Sequence, residues 1–353
     1  MVLQSSGQIT LKEIAAEFNS PAKLKSNYRR DFGVPSSGKI TIQDFYGKSQ
    51  LLTLTINENK KELNVESYLN SVYPNNSWYG KRIKINIGSG HYIYSDDTGK
   101  AAILVNSTVT ANTKRFEIAN RGFIFGKGGA GGKNANGKAG GAAIVTHTGA
   151  NFYYTGSSAG TRYISILAGG GGGGAGEGWS GGGGGAGGGA GGAGKDSSGG
   201  GGGSTGNAGS DGGESVGNSG GHGGSAGGAG GTSWNIAKST DPKAGGGGGG
   251  RRWQWQSTNQ RWLSAGGVGK GANGGTSVIN TPQVGNTMQV SSDTSNGSNG
   301  SGRASGGGGG WGKKGGNSAN HNGGAAGRAI KYTNNGYLAT VTKVGTAIIF
   351  GSY

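Results

Sequence analysis

From residue 126 onward, 78 of 228 residues are glycine, about one in three, whereas residues 1–125 hold nine. No other feature narrows so sharply what this chain can fold into. Glycine loses more conformational freedom on folding than any other residue, and it has no side chain to bury, so such a tract cannot build a hydrophobic core by itself. Two outcomes are physically open. The tract can remain a solvated, flexible chain, as Gly/Ser linkers do. Alternatively it can order as an array of chains whose amides and carbonyls bond one another, because no Cβ holds them apart. Collagen is excluded, since there is no sustained Gly-X-Y period and the whole chain has only five prolines.

Three features favour the ordered array. Bulky aromatic segments interrupt the tract; the glycines fall into blocks of similar size, at 126–141, 169–174, 181–194, 199–203, 220–231, 245–250 and 306–310; and the alternating apolar stretch 337–350 would have nothing to pack on if the preceding tract were coil. Such blocks suit the left-handed three-residue helix of the polyproline II type, which rises ~3.1 Å per residue and makes no internal hydrogen bonds. Packed side by side, glycine helices can satisfy one another's backbone. Uninterrupted runs such as 169–174 and 245–250 then belong at central positions, with alanine and serine on outward faces.

The N-terminal part differs. The heptapeptide beginning at Ser5 returns 31 residues later at Ser36. After the first copy, Thr10 and Glu13 stand at capping-box spacing, and Leu11, Ile14, Ala15 and Phe18 form an apolar helical stripe. The second copy offers Thr41 and Asp44, then Phe45 and Tyr46, and stops at Gly47. Two short capped helices that pack together are expected, too small to be stable without something to dock on. Residues 50–125 switch to alternation, clearest at 52–56 and 83–87, which marks half-buried strands.

The order of these parts resembles a known family. The opening 123–132, Phe-Ile-Phe-Gly-Lys-Gly-Gly-Ala-Gly-Gly, the polyglycine blocks with aromatic inserts, and the closing 323–330 are similar to the distal tail-fibre adhesins of T-even-type bacteriophages; 40–49 resembles phage tail-protein attachment segments. The resemblance implies a fold that is mixed and mostly not α/β: an N-terminal helical attachment unit (1–49), a small β domain (50–125), and a polyglycine II sandwich with receptor-binding loops and a C-terminal β segment (126–353). It also implies a virion protein of the tail fibre or tail tip, made in the host cytoplasm. Its partners would be a fibre or tail-tip protein, docked through Ile40, Ile42, Phe45 and Tyr46, and a receptor on the host surface, an outer-membrane protein or lipopolysaccharide. The duplicated N-terminal unit and the longer inserts depart from the family pattern.

The inserts carry the candidate contacts. Tryptophan and arginine dominate binding hot spots, flat indoles suit sugar rings, and guanidinium forks suit phosphate. The densest segment, 251–262, holds Arg251, Arg252, Trp253, Trp255, Arg261 and Trp262; Trp234, Trp311, Lys313 and Lys314 form a second set. The plainer alternative is that some of these tryptophans cap glycine faces. The formal charge of +17 suits anionic surfaces in general. No enzyme is expected: residues 126–353 contain only six carboxylates, none adjacent in sequence, whereas glycoside hydrolysis wants a positioned pair. No cofactor or metal is expected either, with no cysteine and four scattered histidines. A basic glycine- and aromatic-rich nucleic-acid binder and a structural tail or baseplate component are the competing classes. The first would repeat RGG-like units, yet the Arg251–Arg252 pair runs straight into tryptophan.

Overall fold

The computed structural model describes residues 3, 7–18, 41–45, 47–89, 91–147, 152–157, 165–177, 181–193, 296–297, 299–300, 305–333, 340–345 and 347–353, with four two-residue strands between 215 and 262. Three parallel sheets form its frame. The first stacks β1 (Leu51–Ile56), β4 (Arg82–Ile87), β7 (Arg115–Asn120), β10 (Phe152–Ser157) and β17 (Thr340–Val344); the second stacks β2 (Lys60–Lys61), β5 (Tyr92–Tyr94), β8 (Phe123–Phe125), β11 (Ile166–Ala168) and β18 (Ile348–Phe350); the third stacks β3 (Leu63–Asn64), β6 (Ile103–Val105), β9 (Ile144–Thr146) and β16 (Ile330–Tyr332). The chain visits the three sheets in turn and then begins a new circuit, so this is a parallel β-helix with one strand per sheet per circuit. Alternation along β4 and β7 turns Ile83, Ile85, Ile87, Phe116 and Ile118 inward, where they meet Ile93, Ile103, Val105, Ile124 and Ile144 in one buried core. Each such side chain contributes about 1.5–3 kcal/mol by leaving water.

At the same corner of the first two circuits the chain forms a short helix. Helices α2 (Val65–Val72) and α3 (Ser107–Asn112) are N-capped by Asn64 and Asn106, whose side-chain oxygens accept from the Ser67 and Val109 amides at 3.2 Å. The sheets do not end at residue 125. Phe152 stands opposite Phe116, Ile166 opposite Phe123, and Ile330 opposite Ile144. The compositional break at Phe125/Gly126 therefore marks an excursion out of the β-helix, and the expected β domain extends through strands on both sides of the glycine tract. The C-terminal alternating stretch supplies β17 and β18, the last strands of the first two sheets.

The glycine blocks leave the β-helix at equivalent points, after β8 and after β11, and return to β9 and β16. Among the described residues they form no helix or strand, only an isolated bridge between Lys133 and Gly181. Backbone groups of the central segment, 169–176, bond outward in three directions in turn. The Gly172 and Ala175 amides donate to the Lys313 and Gly316 carbonyls, those of Gly170, Gly173 and Gly176 to Gly141, Lys138 and Ala135, and those of Gly171 and Gly174 to Ala186 and Gly183. Its carbonyls accept in the same rhythm, at Gly171 and Gly174 from Gly129 and Gly132, at Gly170 and Gly173 from Gly327 and Gly324, and at Gly172 and Ala175 from Gly309 and Gly306. The central segment thus has six bonded neighbours and a three-residue repeat. Those neighbours also bond around the ring: Lys138 to Ala130, Gly140 to Ala325, Gly315 to Gly324, Gly316 to Gly307, Gly183 to Gly306, and Gly185 to Gly129.

The run 169–174 therefore lies where an uninterrupted glycine run should, completely surrounded, while 245–250 lies outside the described residues. A Cβ on Gly173 would stand 2.0 Å from the Ala130 carbonyl oxygen, and one on Gly171 would stand 2.1 Å from that of Gly309. Alanines do not all face outward as expected. Ala190 and Ala325 are exposed, but Ala175 and Ala186 are fully buried. Ala186 joins Trp311 on the outer face of the second sheet, against Phe123, Phe125, Ile166 and Phe350. This second cluster explains why β8 and β11 are buried on both faces.

Candidate functional site

The expected contact residues fall in three places, and the structure adds a fourth. The first is the insert that leaves the bundle after residue 193 and re-enters it at 296. Its described strands are β12 (Ser215–Val216) paired parallel with β13 (Ser233–Trp234), and β14 (Trp255–Gln256) paired antiparallel with β15 (Arg261–Trp262). The second pair puts Trp255 opposite Trp262 and Gln256 opposite Arg261, so the backbone draws three of the expected contact residues onto one hairpin. Trp234 stands opposite Val216. Arg251, Arg252 and Trp253 lie outside the described residues.

The second place is the turn following 305–310. Here Trp311 is only 5% exposed, and its ring centroid lies 4.9 Å from that of Phe125. It covers the second sheet instead of facing solvent, because a large apolar surface beside Phe125 gains more from packing than from exposure. Lys313 is half-exposed and Lys314 exposed. Neither forms an ion pair among the described residues.

The third is the N-terminal unit. Helix α1 (Leu11–Phe18) carries the expected capping box: the Thr10 amide donates to Glu13 Oε2 at 2.7 Å, and the Glu13 amide donates to Thr10 Oγ1 at 3.2 Å. The backbone donor of Thr10 and then its hydroxyl hold the Glu13 carboxyl below its ordinary range. At the second copy the Thr41 amide donates to Asp44 Oδ2 at 2.6 Å, but only a 3-10 turn over Ile42–Phe45 follows, not a second α-helix. Gly47 ends it at φ +67°, which glycine adopts without strain. Phe45 is completely buried, so a direct docking role for it is corrected to an interior one; Ile42 is 36% exposed, and Ile40 and Tyr46 lie outside the described residues. Glu17 fastens α1 to the β-helix, taking Lys81 Nζ at 2.8 Å on one oxygen and the Gln50 amide at 3.1 Å on the other.

The fourth place was not among the expected contacts. It is the end of the glycine bundle opposite its junction with the strands. The junction end is fixed by the Gly126 amide bonding to Ala168 and that of Gly169 to Phe350. At the other end the turns around Asn134–Asn136 and 318–322 lie together. The Asn322 amide donates to Asn136 Oδ1 at 2.8 Å, and His321 Nε2 lies 3.4 Å from Asn134 Oδ1. Glu177, 8% exposed, ties the second turn to the central segment through the Asn320 amide at 2.9 Å and its side-chain Nδ2 at 2.6 Å. Burial pushes its carboxyl up, but the donors of Asn320 and Ser318, with the nearby His321, outweigh this and leave it below the ordinary carboxylate value. The recoverable signal was the repeated Asn-x-Asn, at 134–136 and 320–322, each beside a glycine block. The 194–295 insert departs from this same end, since the Gly192 amide bonds to Gly182 and that of Gly182 to Gly132.

The β-helix thus carries a glycine bundle, with the turns at 134–136 and 318–322 at the bundle's free end. The family model of the phage tail fibre adhesin Gp38 matches residues 51–244, more than half of the chain, and the chain belongs to this family. Among solved structures it is similar to the gp37–gp38 adhesin tip complex of the bacteriophage S16 long tail fibre, at 18% identity, with 99% of each chain covered and a TM-score of 0.47. No curated protein matches it.

Proposed function

We propose that this tail fibre adhesin recognises a receptor on the host bacterial surface, an outer-membrane protein or lipopolysaccharide, through loops held at the free end of a polyglycine II sandwich. The glycine segments would be left-handed three-residue helices, layered with one central helix and six around it. The supporting observation is the three-residue rhythm of inter-segment hydrogen bonds about 169–176. None of those central glycines has a positive φ, as such a helix requires. Eight residues at ~3.1 Å each would carry the loops roughly 25 Å beyond the β-helix.

The contact surface would combine the insert residues Arg251, Arg252, Trp253, Trp255, Arg261, Trp262 and Trp234 with the Asn-rich turns at the free end. Lys313 and Lys314 add positive charge nearer the junction with the strands. The N-terminal unit would dock on the fibre, with Ile42 and the 38%-exposed Leu11 offering apolar contact. The activity would be binding without catalysis: Glu177, the one carboxylate buried in the described bundle, is committed to Asn320. The test is attachment of fluorescent protein to whole bacteria. The double change Trp253→Ala/Trp255→Ala is expected to reduce attachment by thirtyfold or more, the equivalent of ~2 kcal/mol, with unchanged thermal unfolding. Undiminished attachment by the folded variant would refute recognition through the insert.

A further inference from the structure

We propose that the cleft where the glycine bundle meets the third sheet binds one anionic sugar unit, a monosaccharide carrying a phosphate. Its wall is built from three separate parts of the chain. Thr98 and Lys100 come from the turn before β6, Gly140 from a bundle segment, and Gly327, Arg328 and Lys331 from the return into β16. Three cationic side chains line it and no carboxylate does. Lys100 is engaged with Glu62 at 3.2 Å. Arg328 and Lys331 are exposed and have no ion-pair partner among the described residues. Two positive charges without carboxylate partners are thus held on the same open cleft, which is where an anion gains most.

The backbone beneath these side chains is fixed. The Ala143 amide bonds to the Arg328 carbonyl at 3.0 Å, Lys331 pairs with Val145 across β16 and β9, and the Gly140 amide bonds to Ala325 at 3.0 Å. Only the ends of the side chains need to be ordered when a ligand arrives, which limits the entropic cost of binding. A guanidinium fork can take two phosphate oxygens at once while an ammonium adds a point charge. The cleft of about 190 Å³ is below the ~300–1,000 Å³ of sites for drug-sized ligands. It is of a size for a small ligand such as one sugar residue. The Thr98 hydroxyl offers a polar contact for sugar hydroxyls. None of its lining residues belongs to the insert at 194–295.

The experiment is titration of the full chain with glucose 6-phosphate, glucose and inorganic phosphate, followed by calorimetry. Glucose 6-phosphate is expected to bind at least tenfold more tightly than either of the others, with an affinity that falls as salt rises. Arg328→Gln/Lys331→Gln is expected to weaken it at least tenfold with the same unfolding temperature, because both side chains are exposed. Trp253→Ala/Trp255→Ala is expected to bind the sugar phosphate as the parent does, so loss of cell attachment and loss of this site are read separately. Absence of glucose 6-phosphate binding, or equal binding by the Arg328/Lys331 variant, would overturn the site. Inorganic phosphate binding as tightly as the sugar phosphate would overturn its assignment to a sugar.

Discussion

At the scale of the residue, glycine here is defined by what cannot approach it. Gly173 and Gly99 are the same residue type in opposite situations: an added Cβ meets a backbone oxygen at 2.0 Å at Gly173, but only the flexible Asp97 carboxylate, at 3.3 Å, at Gly99. Gly173→Ala is expected to cost ~3 kcal/mol, the upper end for overpacking, and Gly99→Ala less than ~0.5 kcal/mol; chemical denaturation measures both. Asn120 is another residue with no spare capacity. It is fully buried, donates through Nδ2 to Tyr154 Oη and the Ile166 carbonyl, and accepts from the Gly122 amide. Asn120→Ala strands these partners in the interior and should cost ~2–4 kcal/mol. Glu177 supplies a pH dependence. Its folded-state pKa is depressed, so its stabilisation is complete above the ordinary carboxylate range and is lost as pH falls through the folded value. The unfolding-temperature gap between the parent and Glu177→Gln should therefore shrink on acidification below about pH 4, and a gap that widened would reverse the sign.

At the scale of the element, the chain announced some of its structure and concealed the rest. The capping box at Thr10–Glu13 and the alternation at 83–87 are local signals, and the structure has α1 and β4 where they stand. The β-helix was not legible, because its repeat is broken by its own insertions. Phe125 and Ile144 belong to one circuit, as do Ala168 and Ile330, and no local period survives such gaps. Trp311 was misread as a contact residue for a related reason: only the return of the glycine bundle onto the second sheet gives it Phe125 to cover. A buried ion pair helps to fasten the N-terminal helix. Glu17→Ala removes the Lys81 contact and the Gln50 bond and should cost ~3 kcal/mol, detectable as loss of protection in α1.

At the scale of the whole molecule, two architectures with different cohesion share one backbone. The β-helix is held by buried isoleucine, valine and phenylalanine, the bundle by amide–carbonyl bonds between segments that bury almost no side chain. The bundle is therefore as cooperative as its ring of six, since removing one segment strands bonding groups in its neighbours. That cooperativity is what the proposed recognition through loops at the bundle's free end requires. The most direct test is amide hydrogen exchange of the native protein, read at the glycines of 169–175. These amides are expected to exchange only through global unfolding, as slowly as those of Ile85 and Ile118 in the β-helix. Exchange at the rate of an unstructured glycine chain, with the β-helix amides still protected, would contradict this.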